Sequence, residues 1–473
     1  MVHNEREEKT VSLTKLSKNA TNRPDDWQQG QLVEILISDL SDTGDGVGRW
    51  GERVVFVPDS VPGDRASVRL VRVKPEYAHA KLHELLEPST HRIRPSCIVA
   101  DKCGGCQWQH IAVEYQLEAK QNQVIQALER IGGFSCPPVA PVLAAPDLNY
   151  RNKATYPLGI SATGRVQAGY YQKGSHHLIN LNQCPVQDSR LNPLLLEVKQ
   201  DIQKRGWRVY DEHKHKGQVR HLALRIGRRT GEMLLTLVVR GWDLPGIEAQ
   251  ASEWLNRYPQ LVGVSLNCNP ERTNAIFGGE TRCISGIAYL IEQFAGLEFQ
   301  VLPDTFFQVY TESAEALLQV IMQQLNLQGD EVLVDAYCGI GTLTLPLARA
   351  LRQAIGLEMQ PEAVEQAQLN AQRNGINNVT FRVGAVEKLL PQLEITADIV
   401  LLDPPRKGCD RAVLEALLRN KPVRIVYVSC KPATLARDLK VLCQSGYRLV
   451  QVQPADFFPQ TAHVECAAFL EKE

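Results

Sequence analysis

The sequence predicts an α/β protein in three parts: a small N-terminal β-barrel, a central mixed α/β region and a C-terminal doubly wound, Rossmann-like domain. Three observations predict it. The chain has 473 residues, too many for one ordinary core. After Asp304, short and almost wholly apolar runs alternate with helical stretches, the pattern of a parallel sheet covered on both faces. Between residues 28 and 88, short strand-like segments are punctuated by glycine and proline, as in small barrels.

The elements follow in chain order. Residues 1–27 are polar and mixed in charge, with no apolar core of a leader, and are expected to form a disordered tail. Within 28–88, Val33–Ile37, Val54–Val57, Ala66–Val73 and Ala80–Leu86 read as strands, with Gly44–Gly48 and Val61–Asp64 as breaks. Residues 89–299 form the central part. It opens with a cysteine-rich loop, Cys97–His110, and a helix over 112–131 with apolar residues at Val113, Leu117, Val124, Leu128 and Ile131; Gly132 and Gly133 can end it. That helix is expected to pack on the C-terminal domain. In 300–473 the strands are Glu331–Asp335, Ala354–Glu358, Val379–Val383, Ile399–Asp403 and Ile425–Ser429, with a last strand at Ala467–Leu470. Helices are expected at Glu362–Asn374, Asp410–Arg419 and Thr434–Gln444.

Bulk properties narrow the function. The formal net charge is −1, so any nucleic-acid surface must come from local clustering. No apolar run approaches the roughly 18 residues that span a bilayer. Twelve cysteines without a leader argue for metal, catalytic or buried thiols rather than disulfides, and for a cytoplasmic protein.

The first Rossmann strand runs into Asp335-Ala-Tyr337-Cys338-Gly339-Ile-Gly341-Thr342. A Gly-x-Gly turn at a strand's carboxyl end lets backbone approach a ligand. Glu358 ends the second strand, where an acid can accept from ribose hydroxyls. The third glycine of the dinucleotide fingerprint is absent, which favours an adenosyl ligand without pyrophosphate, S-adenosylmethionine, over NAD. Asp403-Pro-Pro-Arg406 closes strand four at the next ligand-binding position. Arg406 stands where amino-group methyltransferases carry an aromatic residue after the prolines, which disfavours that chemistry.

Strand five delivers Cys430 to the same crevice. A thiolate there suits one reaction. Carbon 5 of uracil is a poor nucleophile until a thiolate adds to C6 and makes it enolate-like; a base must then remove the C5 proton. Glu465, just before the last strand, can be that base, because partial burial raises a carboxyl toward pH 7.

These segments together resemble the motifs of the RNA uracil-5 methyltransferase family (TrmA/RumA type): Asp335–Thr342, Asp403–Gly408, Ser429–Asp438, His463–Glu465 and Phe306-Phe-Gln308-Val. The likeness covers about 30–473. It implies a class I methyltransferase domain that binds S-adenosylmethionine through Gln308, Tyr337, Gly339, Thr342, Glu358 and Asp403, with Cys430 as nucleophile and Glu465 as base. Ala385 departs from the family, which often has a polar residue after strand three.

Cys97-x5-Cys103-Gly-Gly-Cys106 and the distant Cys184 make a four-thiolate set. Ligand count alone leaves zinc and iron–sulfur open. The resemblance implies a [4Fe–4S] cluster, and a TRAM domain, an OB-like RNA-binding barrel, at 28–88. It also implies structured RNA, 23S rRNA before tRNA, as substrate and a monomeric enzyme; a non-catalytic RNA-binding assembly factor is the other reading. Residues 201–230 hold nine Lys/Arg against three Asp/Glu, with His213, His215 and His221 interspersed, and are expected to offer a basic surface to phosphates. Arg151-Asn152-Lys153 matches the family's RNA-facing motif.

Overall fold

The computed structural model describes residues 27–473 in two compact units, one holding residues 46–89 with the strand before them, the other residues 40–45 and 90–473. The expected tail at 1–27 lies outside the described residues except for Trp27.

The first unit is a closed barrel. Its strands are β1 (Leu32–Leu40), β2 (Gly46–Trp50), β3 (Arg53–Val57), β4 (Arg65–Val73) and β5 (Tyr77–Glu87), in the order β1-β2-β3-β5-β4. Alternate residues point inward, with Val33, Ile35, Ile37, Val55, Val57, Val68 and Leu70 in the core. Trp27 is not part of a tail: it is buried and packs on Trp50 at 5.5 Å between ring centroids. The glycine run at 44–48, expected as a break, contains the start of β2. A Cβ on Gly46 would stand 2.0 Å from the Ser60 hydroxyl, and one on Gly48 would stand 2.7 Å from the Leu36 carbonyl. The glycines are there because the barrel closes too tightly for side chains.

The second unit begins with α1 (Val113–Ala127), which winds into a π-type turn at Leu128–Gly132 and ends at Gly133 with φ 75°. Its buried face is Gln116, Lys120, Val124 and Leu128; of the apolar set expected, Val124 and Leu128 are buried, Val113 and Leu117 half-buried, and Ile131 exposed. Polar residues occupy this face because each has a buried partner, described below.

A seven-stranded sheet follows, built from β6 (Lys153–Ile160), β7 (Val166–Tyr171), β8 (Leu178–Asn180), β9 (Val219–Ile226), β10 (Met233–Val239), β11 (Leu261–Cys268) and β12 (Glu280–Gly286) in the order β12-β11-β10-β9-β6-β7-β8. Helices α2 (Asn192–Arg205) and α3 (Ile247–Arg257) cover its apolar face through Leu194, Leu195, Val198, Ala251 and Trp254. Five of the nine cations in the basic run at 201–230 are engaged within the fold, whereas Lys204, Arg208, Lys214 and Lys216 are exposed. Arg228 pairs with Asp188 and Glu312, Arg229 with Glu315 and Arg205 with Glu253. Arg220 is buried and donates to the carbonyls of Asn269 and Glu271, and Arg225 donates to that of Thr305. These cations fasten the sheet to its neighbours.

A hairpin, β13 (Leu290–Phe294) and β14 (Leu297–Val301), leads through α4 (Thr311–Leu325) into the last sheet. That sheet contains β15 (Val332–Ala336), β16 (Gln353–Glu358), β17 (Val379–Val383), β18 (Ile399–Leu402), β19 (Arg424–Ser429), β20 (Tyr447–Ala455) and β21 (Glu465–Lys472). Its order is β17-β16-β15-β18-β19-β21-β20, parallel except for β21, which runs antiparallel between β19 and β20. Five helices separate the strands: α5 (Thr344–Ala348), α6 (Pro361–Arg373), α7 (Val386–Leu389), α8 (Arg411–Asn420) and α9 (Pro432–Cys443). The sheet is buried on both faces, which explains its continuous apolar strands. β20 was not expected from the sequence. The strand order reverses at β15, so the crevice beyond the carboxyl ends of β15 and β18 is the ligand position of such a sheet.

Candidate active site

The turn after β15 is unusual backbone. Tyr337 has φ 76°, Gly339 φ 54° and Gly341 φ 85°. Tyr337 holds a left-handed conformation that costs a non-glycine residue, sustained by its N–H and that of Cys338 donating to the Leu357 carbonyl. No atom lies within 4 Å of where a Cβ on Gly339 would be, so this stretch of backbone is open to a ligand. Glu358 accepts from the Gly339 N–H at 3.1 Å and the Gln360 N–H at 2.9 Å, which ties the glycine turn to the end of β16. Thr342 follows the turn, half-buried. Beneath it, Asp335 is buried and accepts from the Thr344 hydroxyl at 2.5 Å. Burial pushes its carboxyl up to about 7; the nearby Asp403 and Glu358 carboxylates add to this and the Thr344 bond opposes it. An adenosyl group with a cationic sulfonium fits such a place: exposed turn backbone above buried carboxyls.

Gln308 lies between β14 and α4 on the same unit. Its carbonyl accepts from Asn152 Nδ2 at 2.9 Å, and the Val309 carbonyl accepts from the Asn152 N–H at 3.0 Å. Asn152 is therefore a buried strut for the Gln308 segment rather than an exposed member of an RNA-facing trio. Phe306, two residues earlier, is 69% exposed.

The reactive groups gather on the other side of the crevice. Asp403 and Arg406 extend from β18, and the loop that carries them is held against α9. Cys409 N–H donates to Asp438 Oδ2 at 2.9 Å, and the Thr434 hydroxyl donates to the Arg406 carbonyl at 3.4 Å. Cys430 sits half-buried between the end of β19 and the first turn of α9. Glu465 opens β21, is only 6% exposed, and precedes Cys466, the cross-strand partner of Ser429. The pleated pairing of β19 with β21 thus sets the two groups side by side.

Their electrostatics follow from this placement. Burial pushes the Cys430 thiol up, the Glu465 and Asp403 carboxylates push it further, and Arg406 opposes them by charge and a hydrogen bond. Burial holds the Glu465 carboxyl well above the usual range, Asp403 adds to this, and Arg406 again opposes it. Burial also raises Asp403, to about 7. A thiol, two carboxyls and one guanidinium form a single electrostatic unit. Sequence reading missed Arg406 as a member, although its place directly after Asp403-Pro-Pro was the available signal.

Cys97, Cys103, Cys106 and Cys184 line one cavity of about 160 Å³, with Tyr150, Tyr170, Arg151 and Thr461 among its other walls. Burial pushes Cys106 up to about 11 and Cys184 up to about 12, and the neighbouring thiols add to both. Among the described residues no three His, Cys, Asp or Glu side chains are drawn together as ligands of a single metal ion.

Comparison with known proteins agrees with this geometry. The model of the tRNA (uracil-5-)-methyltransferase family matches residues 293–473, and that of the TRAM domain matches 26–83. The chain is 76% identical to an uncharacterized RNA methyltransferase of Nostoc sp. (strain PCC 7120) over 94% of this chain and 97% of that one. It is 60% identical to an uncharacterized RNA methyltransferase of Synechocystis sp. (strain PCC 6803), over 94% and 96%. Among solved structures, it resembles the Pyrococcus abyssi tRNA (uracil-54, C5)-methyltransferase in complex with S-adenosyl-L-homocysteine, with a TM-score of 0.75, 28% identity, and coverage of 92% of this chain and 99% of that one. Among the described residues no helix is long and apolar enough to cross a membrane. The barrel is a TRAM domain, the doubly wound sheet is a class I methyltransferase domain, and the chain belongs to the RNA uracil-5 methyltransferase family, as an S-adenosylmethionine-dependent RNA methyltransferase.

Proposed function

We propose that the protein forms 5-methyluridine in structured RNA, with Cys430 as nucleophile and Glu465 as general base. The observation that carries this reading is the convergence of Cys430, Glu465 and Arg406 at the carboxyl end of β19, beside the Asp403 crevice. Gln308, Tyr337, Gly339, Thr342, Glu358 and Asp403 would hold S-adenosylmethionine, which supplies an electrophilic methyl group. The Cys430 thiolate adds to C6 of the uracil; the C5–C6 π electrons shift toward O4 and make C5 nucleophilic. C5 would then take the methyl group from the sulfonium, whose carbon–sulfur bond breaks to leave the neutral thioether S-adenosylhomocysteine. Glu465 accepts the C5 proton, and the electrons left behind expel the thiolate from C6, which restores the ring double bond. Arg406 favours the thiolate before addition and offsets the paired carboxyls. The target uridine must leave its stack to reach Cys430.

RNA containing 5-fluorouridine tests the chemistry, because fluorine at C5 cannot leave as a proton. A stable protein–RNA adduct is expected with the native enzyme and none with Cys430→Ala. Methylation by Cys430→Ala at the native rate would overturn the mechanism, and failure of the native protein to methylate RNA would return the assembly-factor reading.

Large-subunit (23S) rRNA is the favoured substrate, on the family likeness that joins a TRAM barrel to a cysteine cluster. A tRNA substrate is the second reading, favoured by the activity of the Pyrococcus protein toward tRNA. Loss of one 5-methyluridine from either RNA in a deletion strain decides between them. We assign Cys97, Cys103, Cys106 and Cys184 to a [4Fe–4S] cluster. The support is that all four thiols line one cavity; ligand type leaves zinc open, and the family likeness favours the cluster. Bound there, the cluster would take as thiolates, with release of their protons, cysteines that burial otherwise keeps as neutral thiols, and would cross-link distant chain segments; methyl transfer needs no electron from it. We further propose domain limits at 28–88, 89–299 and 300–473, a monomeric state and a cytoplasmic location.

A further inference from the structure

The cysteine cavity and the base Glu465 are joined by a short, fully bonded piece of chain. Gln460 is 4% exposed and has φ 68°, a left-handed conformation that an unbranched side chain adopts only under constraint. Every polar atom it owns is engaged. Its carbonyl accepts from the N–H groups of Gln107 (3.1 Å) and Trp108 (3.0 Å), the residues that follow Cys106. Its N–H donates to Gln116 Oε1 and its Oε1 accepts from Gln116 Nε2, both at 3.1 Å. Its Nε2 donates to Asp147 at 2.5 Å. On either side, Pro459 accepts at its carbonyl from the Tyr150 hydroxyl at 3.0 Å, and Thr461 forms part of the cysteine cavity wall. The Thr461 hydroxyl then accepts from the His463 N–H at 3.2 Å, two residues before Glu465. Lys120, wholly buried in α1, secures the start of the same loop through Asp456 Oδ1 (2.6 Å) and the Phe458 carbonyl (3.2 Å).

This arrangement explains the polar buried face of α1. Gln116 and Lys120, with the segment after Cys106, grip residues 456–461. We infer that Gln460 is a positioning residue that ties the cysteine-bearing loop to the strand carrying the base. Order in that loop sets the place of Glu465, and so governs removal of the C5 proton rather than formation of the thiol adduct. The inference rests on the proposed roles of Cys430 and Glu465. Displacement of a reacting group by about 1 Å can cost on the order of 10²-fold.

The variant Gln460→Asn tests it, because asparagine tolerates left-handed backbone but is one methylene too short to reach both Gln116 and Asp147. Single-turnover measurement with uridine-containing substrate RNA and S-adenosylmethionine separates the two halves of the reaction. Adduct formation is expected within about threefold of the native rate, while release of methylated RNA slows by roughly tenfold or more, so the covalent adduct accumulates. Amide exchange over 461–465 is expected to quicken in this variant, and in Cys106→Ala, with β15 and β16 unchanged. A parallel fall in formation and release, or native release with undisturbed exchange, overturns the inference. Adduct formation by Cys430→Ala would instead overturn the mechanism on which it rests.

Discussion

Burial raises the thiol at Cys430 and the thiols at Cys103, Cys106 and Cys184, yet the two regions resolve the same difficulty differently. Around the cavity, the other thiols make each deprotonation harder, and a second agent must compensate. Thiolates of this sort form when a metal centre takes them as ligands. At Cys430 the compensation is part of the chain: the Arg406 guanidinium stands against the thiol, and the thiol lies at the start of the twelve-residue helix α9. On the roles proposed above, the cavity thiols await a metal centre, whereas Cys430 has the Arg406 cation beside it to oppose the rise. Position at a strand end makes Cys430 a candidate nucleophile, and the opposing charge of Arg406 supports that proposal.

The largest effect that can break this comparison is at the base. Glu465→Gln keeps the shape of the site but removes the proton acceptor, so methyl release is expected to fall by about 10²–10⁴-fold. Adduct formation should persist, and a protein–RNA band resistant to denaturation should appear with ordinary uridine RNA. A Glu465→Gln enzyme that turns over normally would remove Glu465 from the mechanism.

A smaller effect is expected at the compensating charge. Arg406→Gln should slow adduct formation by roughly 10²-fold, the order found when one charged stabilising group is removed. Its pH profile carries the sharper information. Cys430 and Glu465 both act in deprotonated form and both titrate above their ordinary values, so kcat/KM should climb as pH rises through and beyond neutrality. Removing a cation raises both groups further, and the climb should move to higher pH. An unmoved profile would mean that Arg406 does not act on the thiol. The equivalent change of a cavity-wall cation, Arg151→Gln, should leave this limb where it is.

How far the sequence carried these conclusions depends on the range of the forces involved. The parallel sheet was legible because burial on both faces writes continuous apolar strands such as Ile399–Leu402. Cys430 and Glu465 were legible because each stands at a strand end with a chemical use. Strand β2 was hidden, because its Gly46 and Gly48 answer to a steric demand made by Ser60 and Leu36. The face of α1 was misjudged for a similar reason. Lys120 looks like a solvent residue until Asp456, 336 positions away, is beside it. The same holds for Arg228 and Arg229 in the basic run at 201–230, whose partners Asp188, Glu312 and Glu315 come from other segments. Local pattern predicts elements; pairing of buried polar groups is a property of the fold.

The smallest effect tests whether buried acid in the crevice is a cost to folding as well as an aid to binding. Asp335 titrates at about 7 in the folded protein, above the unfolded value of about 3.9. The folded state therefore binds the proton more tightly, and stability must fall as pH rises between these two values. Most of that fall belongs to pH 5–7, where it amounts to about 2 kcal/mol. Asp335→Asn retains an oxygen to accept from Thr344 and removes the titration, so its unfolding free energy should lose that slope and exceed the native value at pH 7. Denaturant melts of both proteins at pH 5 and 7 measure the difference directly. Equal slopes would mean that Asp335 ionises in the fold without penalty, and that water or a partner cation reaches a carboxyl that Thr344 and the glycine turn otherwise enclose.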